Sequence, residues 1–185
     1  MTDDLDFTSH FSAEHIVPEP SHTDEELKHI DDLGTIGEVS LKTKGIYVRM
    51  VTAVPAGPRR SPPECTVLVV EDDEVTARLI TTVLEKSGYR ARRARNRKEV
   101  AAELSVKPRP DLILLDVVMP DVNGFDVLNR IRQHASLQQI PVVMLTSLSE
   151  KKDIAKGIML GADGYLTKPL LPSALLDAVK AITAG

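Results

Sequence analysis

The chain has 185 residues, 42% of them hydrophobic, with one cysteine and a formal net charge of −4. This suits one packed domain with a substantial extension, and the single Cys65 excludes an intrachain disulfide framework or a cysteine-built metal cluster. No apolar run approaches the roughly 18 residues of a membrane span, and the acidic start MTDDLDFTSH lacks a leader pattern, so a cytoplasmic protein without membrane insertion is expected.

Residues 1–64 carry twelve acids against six Lys/Arg, whereas residues 65–185 carry fifteen against seventeen. Two parts are expected: an acidic N-terminal extension (1–64) and a folded body (65–185). In the extension, residues 1–22 have little to bury and are expected to be disordered. Thr23-Asp24-Glu25-Glu26 is a capping box, and Leu27, Ile30 and Leu33 before Gly34 predict a short helix. Val39–Leu41 and Ile46–Met50 alternate around Lys44-Gly45 and suggest a hairpin, which would need a partner surface to persist. Residues 55–63 are rich in proline and predict a linker.

From Thr66 onward, strands centred near 68, 91, 113, 143 and 166 alternate with helical stretches. The helical stretches carry Val75, Leu79 and Val83 with Ile80 and Leu84; Val100 and Leu104 after the capping box Asn96–Glu99; Leu128 and Ile131; Ile154 and Ile158; and Leu175, Val179 and Ile182 after Pro172. This order predicts an α/β fold, a doubly wound five-stranded parallel sheet with helices on both faces.

Each apolar run ends in a polar group at what should be one edge of the sheet. Val67–Val70 leads to Glu71-Asp72-Asp73, Leu112–Leu115 to Asp116, Val142–Leu145 to Thr146, and Tyr165–Thr167 to Lys168. Ligands of open α/β sheets bind there. Converging carboxylates repel one another unless a cation neutralises them, and an all-oxygen donor set favours Mg²⁺. An acidic nucleophile, a metal, a lysine and a threonine hydroxyl suit phosphoryl transfer to a carboxylate, giving an acyl phosphate.

The segments VLVVEDD, LILLDVVMPDVNGFDVL, VVMLTS and GADGYLTKPL resemble the receiver domain of two-component response regulators, of the chemotaxis-regulator kind, over residues 66–183. The resemblance implies that Asp116 is the phosphoacceptor. It makes Asp72, Asp116 and the Val118 carbonyl Mg²⁺ ligands, and Glu71 a ligand through water. Thr146 and Lys168 would contact the phosphoryl group, Tyr165 would be the aromatic switch residue, and the Lys168–Pro169 bond would be cis. The protein is then a phosphorylation-dependent switch rather than an enzyme. Its implied partners are a histidine kinase or histidine phosphotransfer protein and a downstream protein target, with homodimerisation as a further option. Since no recognisable DNA-binding output domain follows Gly185, output is expected through protein contacts. The alternatives are an unphosphorylated interaction module and an aspartyl-phosphate hydrolase, which would usually carry a second acid where Val118 stands.

Val118 and Leu148 occupy positions where many such domains carry polar groups, which predicts a slowly decaying acyl phosphate. Leu170 replaces the usual phenylalanine after Lys-Pro. Arg90, Arg92, Arg93, Arg95, Arg97 and Lys98 place six cations within nine residues of an edge strand and its loop. They either protect the edge from pairing or form an interaction patch, the acidic arm of the chain being the proposed partner. No aromatic platform accompanies them, so nucleic-acid binding is not expected.

Overall fold

The computed structural model describes residues 47–49, 62–147 and 151–183. The expected features at 1–22, 23–34 and 39–41, most of the linker, and Leu148 lie outside these residues.

A 3₁₀ turn at Pro62–Glu64 leads into the parallel strands. These are β2 (Thr66–Val70), β3 (Arg90–Ala94), β4 (Leu112–Asp116), β5 (Val142–Thr146) and β6 (Gly164–Thr167). Between and after them run α1 (Glu74–Lys86), α2 (Arg97–Ser105), α3 (Gly124–Gln133), α4 (Lys151–Met159) and α5 (Pro172–Thr183). The expected five β-α units are therefore present. A sixth strand, β1 (Tyr47–Arg49), lies antiparallel on β6, and the sheet order is β1-β6-β5-β4-β2-β3. Of the suggested hairpin only residues 47–49 are described, and they pair with the edge of the parallel sheet.

Every residue of β2, β4 and β5 is buried, as continuous apolar runs covered on both faces require. The edge strand β3 is exposed at Arg90 and reaches full burial only at Ala94. Caps set the helix starts: Asp73 accepts from Thr76 N at 2.8 Å, Asn96 from Glu99 N at 3.0 Å and Asn123 from Phe125 N at 2.9 Å. The Glu99 carboxylate returns its bond to Arg95 N rather than to Asn96 N, one residue outside the expected capping box.

Two helical faces differ from the sequence pattern. In α1 the buried side is Ala77, Ile80 and Leu84, whereas Val75 is 77% and Leu79 43% exposed. Apolar residues span an arc of about 200° on this helix, from Val75 to Ala77 at 3.6 residues per turn, so spacing alone does not select which part of the arc is buried. In α4 the covered residues are Ala155 and Gly157, while Ile158 is exposed. Small residues there let the helix approach the sheet closely.

Candidate functional site

The sheet order reverses between β2 and β4, where Val70 pairs with Leu115, so their next residues meet outside the carboxyl ends of the strands. Glu71, Asp72 and Asp116 offer carboxylate oxygens that all lie within 4.8 Å of one another. Asp116 and Glu71 are buried, and Asp72 is half-buried. β5 and β6 bring the other groups: Thr146 is buried at the end of β5 opposite Thr167, and Lys168 N donates to Thr146 O at 2.8 Å. The Lys168–Pro169 bond is cis.

Lys168 Nζ donates to Asp116 Oδ2 at 2.8 Å and stands 2.7 Å from Glu71 Oε2. The second contact is an ion pair by distance, but the buried Oε2 has no partner in hydrogen-bond geometry. Burial raises the Glu71 carboxyl to about 7; Lys168 opposes the rise and the Asp116 charge adds to it. Burial alone would lower the Lys168 ammonium, yet Asp116 and Glu71 hold it above its ordinary value. At Glu71 burial outweighs the Lys168 contact, whereas at Lys168 the two acids together outweigh burial. A buried carboxylate oxygen without a hydrogen bond beside two further acids fits a hard divalent cation.

Tyr165 lies fully inside, its hydroxyl donating to Asp153 O at 2.9 Å, and burial raises its pKa. Its ring is packed under Gly157, where an added Cβ would fall 1.8 Å from the Tyr165 hydroxyl. Gly157→Ala is therefore expected to expel the tyrosine from this position, costing about 1–3 kcal/mol by overpacking. Near-ultraviolet circular dichroism and denaturant unfolding would read both effects, and the double variant Gly157→Ala/Tyr165→Leu should recover part of the loss.

Sequence reasoning passed over two glycines, Gly124 and Gly157. Gly124 N donates to Val117 O at 2.9 Å, and the backbone of Asp116 passes directly against its Cα. A lone glycine inside a helical pattern, as at Gly157, and the turn Asn123-Gly124 were the available signals. Val118, which bridges to Asn123, is 57% exposed beside Asp116.

The arginine cluster lies on the far edge and is largely engaged within the folded body. Arg93 pairs with Glu74, Arg95 with Glu99, Arg92 with Glu103, and Arg97 NH2 donates to Asp121 O.

Residues 67–180 match the response regulator receiver domain. The chain belongs to the response regulator receiver family. It is 37% identical over 116 residues to the phosphate regulon transcriptional regulatory protein PhoB of Klebsiella pneumoniae, covering 63% of this chain and 50% of that protein. It is 34% identical over 119 residues to Protein PilH of Pseudomonas aeruginosa, covering 64% of this chain and 98% of that one. A putative response regulator from Chloroflexus aurantiacus superposes with a TM-score of 0.61 at 35% identity, covering 65% of this chain and 98% of that chain. The chain thus spans about half the length of PhoB and nearly the whole of PilH. Receivers bind Mg²⁺ at an acidic pocket, interact with histidine kinases or phosphotransfer proteins, and are generally not true enzymes. Among the described residues of this receiver, no helix is long and apolar enough to cross a membrane.

Proposed function

We propose that this receiver takes a phosphoryl group on Asp116 and acts as a phosphorylation-dependent switch. One observation carries the reading: Lys168 Nζ lies 2.8 Å from Asp116 Oδ2 and 2.7 Å from Glu71 Oε2, while carboxylate oxygens of Glu71, Asp72 and Asp116 all lie within 4.8 Å of one another, so a fixed cation stands beside an acid cluster of the kind that holds a divalent ion. An Asp116 oxygen attacks the phosphorus of a phosphohistidine or small phosphodonor. The O–P bond forms as the bond to the leaving group breaks, and that group departs with the bonding pair. Lys168 offsets the added negative charge, and the Thr146 hydroxyl donates to a phosphoryl oxygen.

Asp72, Asp116 and the Val118 carbonyl would hold Mg²⁺, with Glu71 acting through water. Bound there, the ion supplies neutralisation of charge at the phosphoryl oxygens. The donor is a histidine kinase or phosphotransfer protein, and the listener is a protein partner. A hydrolase reading is disfavoured by Val118, an exposed apolar side chain where a second acid would be needed.

Because Val118 cannot orient water, the acyl phosphate should persist for minutes or longer in Mg²⁺. Intact-mass measurement after removal of a small phosphodonor tests this: a phosphoryl adduct that forms only with Mg²⁺, fails to form when chelator is present during the incubation, and decays slowly is expected. Decay within seconds would contradict slow hydrolysis, and an adduct indifferent to Mg²⁺ would contradict the metal assignment.

A further inference from the structure

β6 belongs to two arrangements at once. Its carboxyl end runs into Lys168, which holds Asp116 Oδ2 at 2.8 Å, and its last residue, Thr167, pairs with Thr146 of β5. Its outer edge carries β1, with Tyr47, Val48 and Arg49 opposite Leu166, Tyr165 and Gly164. The strand that closes this edge precedes the receiver match, which begins at residue 67. It is therefore an addition by the extension to the family fold. Without it, the backbone groups along the outer side of β6 would form an open sheet edge next to the buried Tyr165.

We propose that residues 47–49 are a built-in edge strand whose pairing with β6 is coupled to the acidic site and favours its resting arrangement; this rests on Asp116 being the phosphoacceptor. A phosphoryl group on Asp116 adds anionic oxygens next to the one that Lys168 holds, so Lys168 must re-aim. Lys168 continues directly from β6, and a three-residue ladder has few bonds with which to resist a shift of its template. Filling the site therefore loosens β1. Linkage makes the effect reciprocal: a chain that cannot pair β1 favours the phosphorylated arrangement by the same factor.

The test uses the full chain and its variant Tyr47→Pro/Val48→Pro. Successive strand amides point to opposite sides, so one of the two prolines removes a ladder donor whichever way β1 is set. The probes are Mg²⁺ with beryllofluoride, a phosphoryl mimic, and Mg²⁺ with acetyl phosphate. Hydrogen exchange at 47–49 and 164–166 and the intact mass are the readouts. In the wild type, protection at 47–49 should be present and should fall when Mg²⁺ and beryllofluoride are added. The variant should lack it, and its exchange at 164–166 should reach half-saturation at about fivefold lower beryllofluoride than in the wild type, near the lower end of usual couplings. Retained protection in β2 and β4 reports that the variant is folded; should it be lost, Tyr47→Gly/Val48→Gly replaces it, with the same direction expected. Unprotected 47–49 in the wild type overturns the proposal. So does equal beryllofluoride half-saturation in wild type and variant despite lost protection, and a mass gain with acetyl phosphate alongside it leaves the Asp116 reading standing. Absence of a mass gain in both proteins instead removes the Asp116 reading and the coupling with it.

Discussion

Alanine at position 124 is expected to destabilise the receiver by about 3 kcal/mol, the upper end of usual overpacking costs, and to depress phosphorylation of Asp116 at the same time. A Cβ there would fall 2.1 Å from the Asp116 carbonyl oxygen, 2.8 Å from Val117 Cα and 2.9 Å from the Asp116 carbonyl carbon. All three are backbone atoms, so no side-chain rotation relieves the clash. The start of α3 must back away from the end of β4, and the Gly124 N to Val117 O bond of 2.9 Å is lost as it does so. The requirement is for space rather than for an unusual backbone, since among the described residues the positive-φ glycines are Gly88 and Gly161. Denaturant unfolding and the rate of Asp116 phosphorylation measure the two effects. Unchanged stability together with an unchanged rate would show that the loop has room that this packing denies.

Asp163→Ala is expected to cost about 3–5 kcal/mol, the range for breaking one side of a buried ion pair. Asp163 Oδ2 accepts from Arg132 Nη2 at 2.7 Å and from Val142 N at 2.7 Å, which ties α3 to the start of β5. Arg132 also donates to the carbonyls of Gly161 at 2.8 Å and Ile140 at 2.9 Å. Burial pulls the guanidinium below its ordinary pKa and Asp163 opposes this, so removing the acid leaves a 19% exposed cation with carbonyl partners alone. Asp163→Asn keeps an acceptor for Val142 N and should lose less. The double variant Arg132→Met/Asp163→Leu should recover much of the loss, because replacing both charges by apolar groups is often neutral. Thermal and denaturant unfolding would check all three. A loss below about 1 kcal/mol for Asp163→Ala would place the pair among weak surface bridges.

The parallel sheet and its acidic edge were legible because buried parallel strands appear as unbroken apolar runs, and the residue that ends each run falls at the ligand-binding side. Asp116, Thr146 and Lys168 were singled out in that way, and the structure brings Asp116 and Lys168 into direct contact. The buried side of α1 was not legible, because Val75 and Leu79 are as apolar as Ile80 and Leu84 and only the neighbouring elements decide between them. Partners distant in sequence were hidden for a related reason. Nothing near Arg93 points to Glu74 nineteen positions away, and nothing near Val48 points to Tyr165. Gly124 and Gly157 were missed because their importance lies in what a side chain would strike, which composition and periodicity do not encode.

Intact mass of wild type and Asp116→Ala, each incubated with Mg²⁺ and acetyl phosphate, decides whether Asp116 is the phosphoacceptor. A gain of one phosphoryl group is expected in the wild type, mapped to the peptide containing Asp116, and none in the variant. An equal gain in both proteins, or none in the wild type, would contradict that assignment.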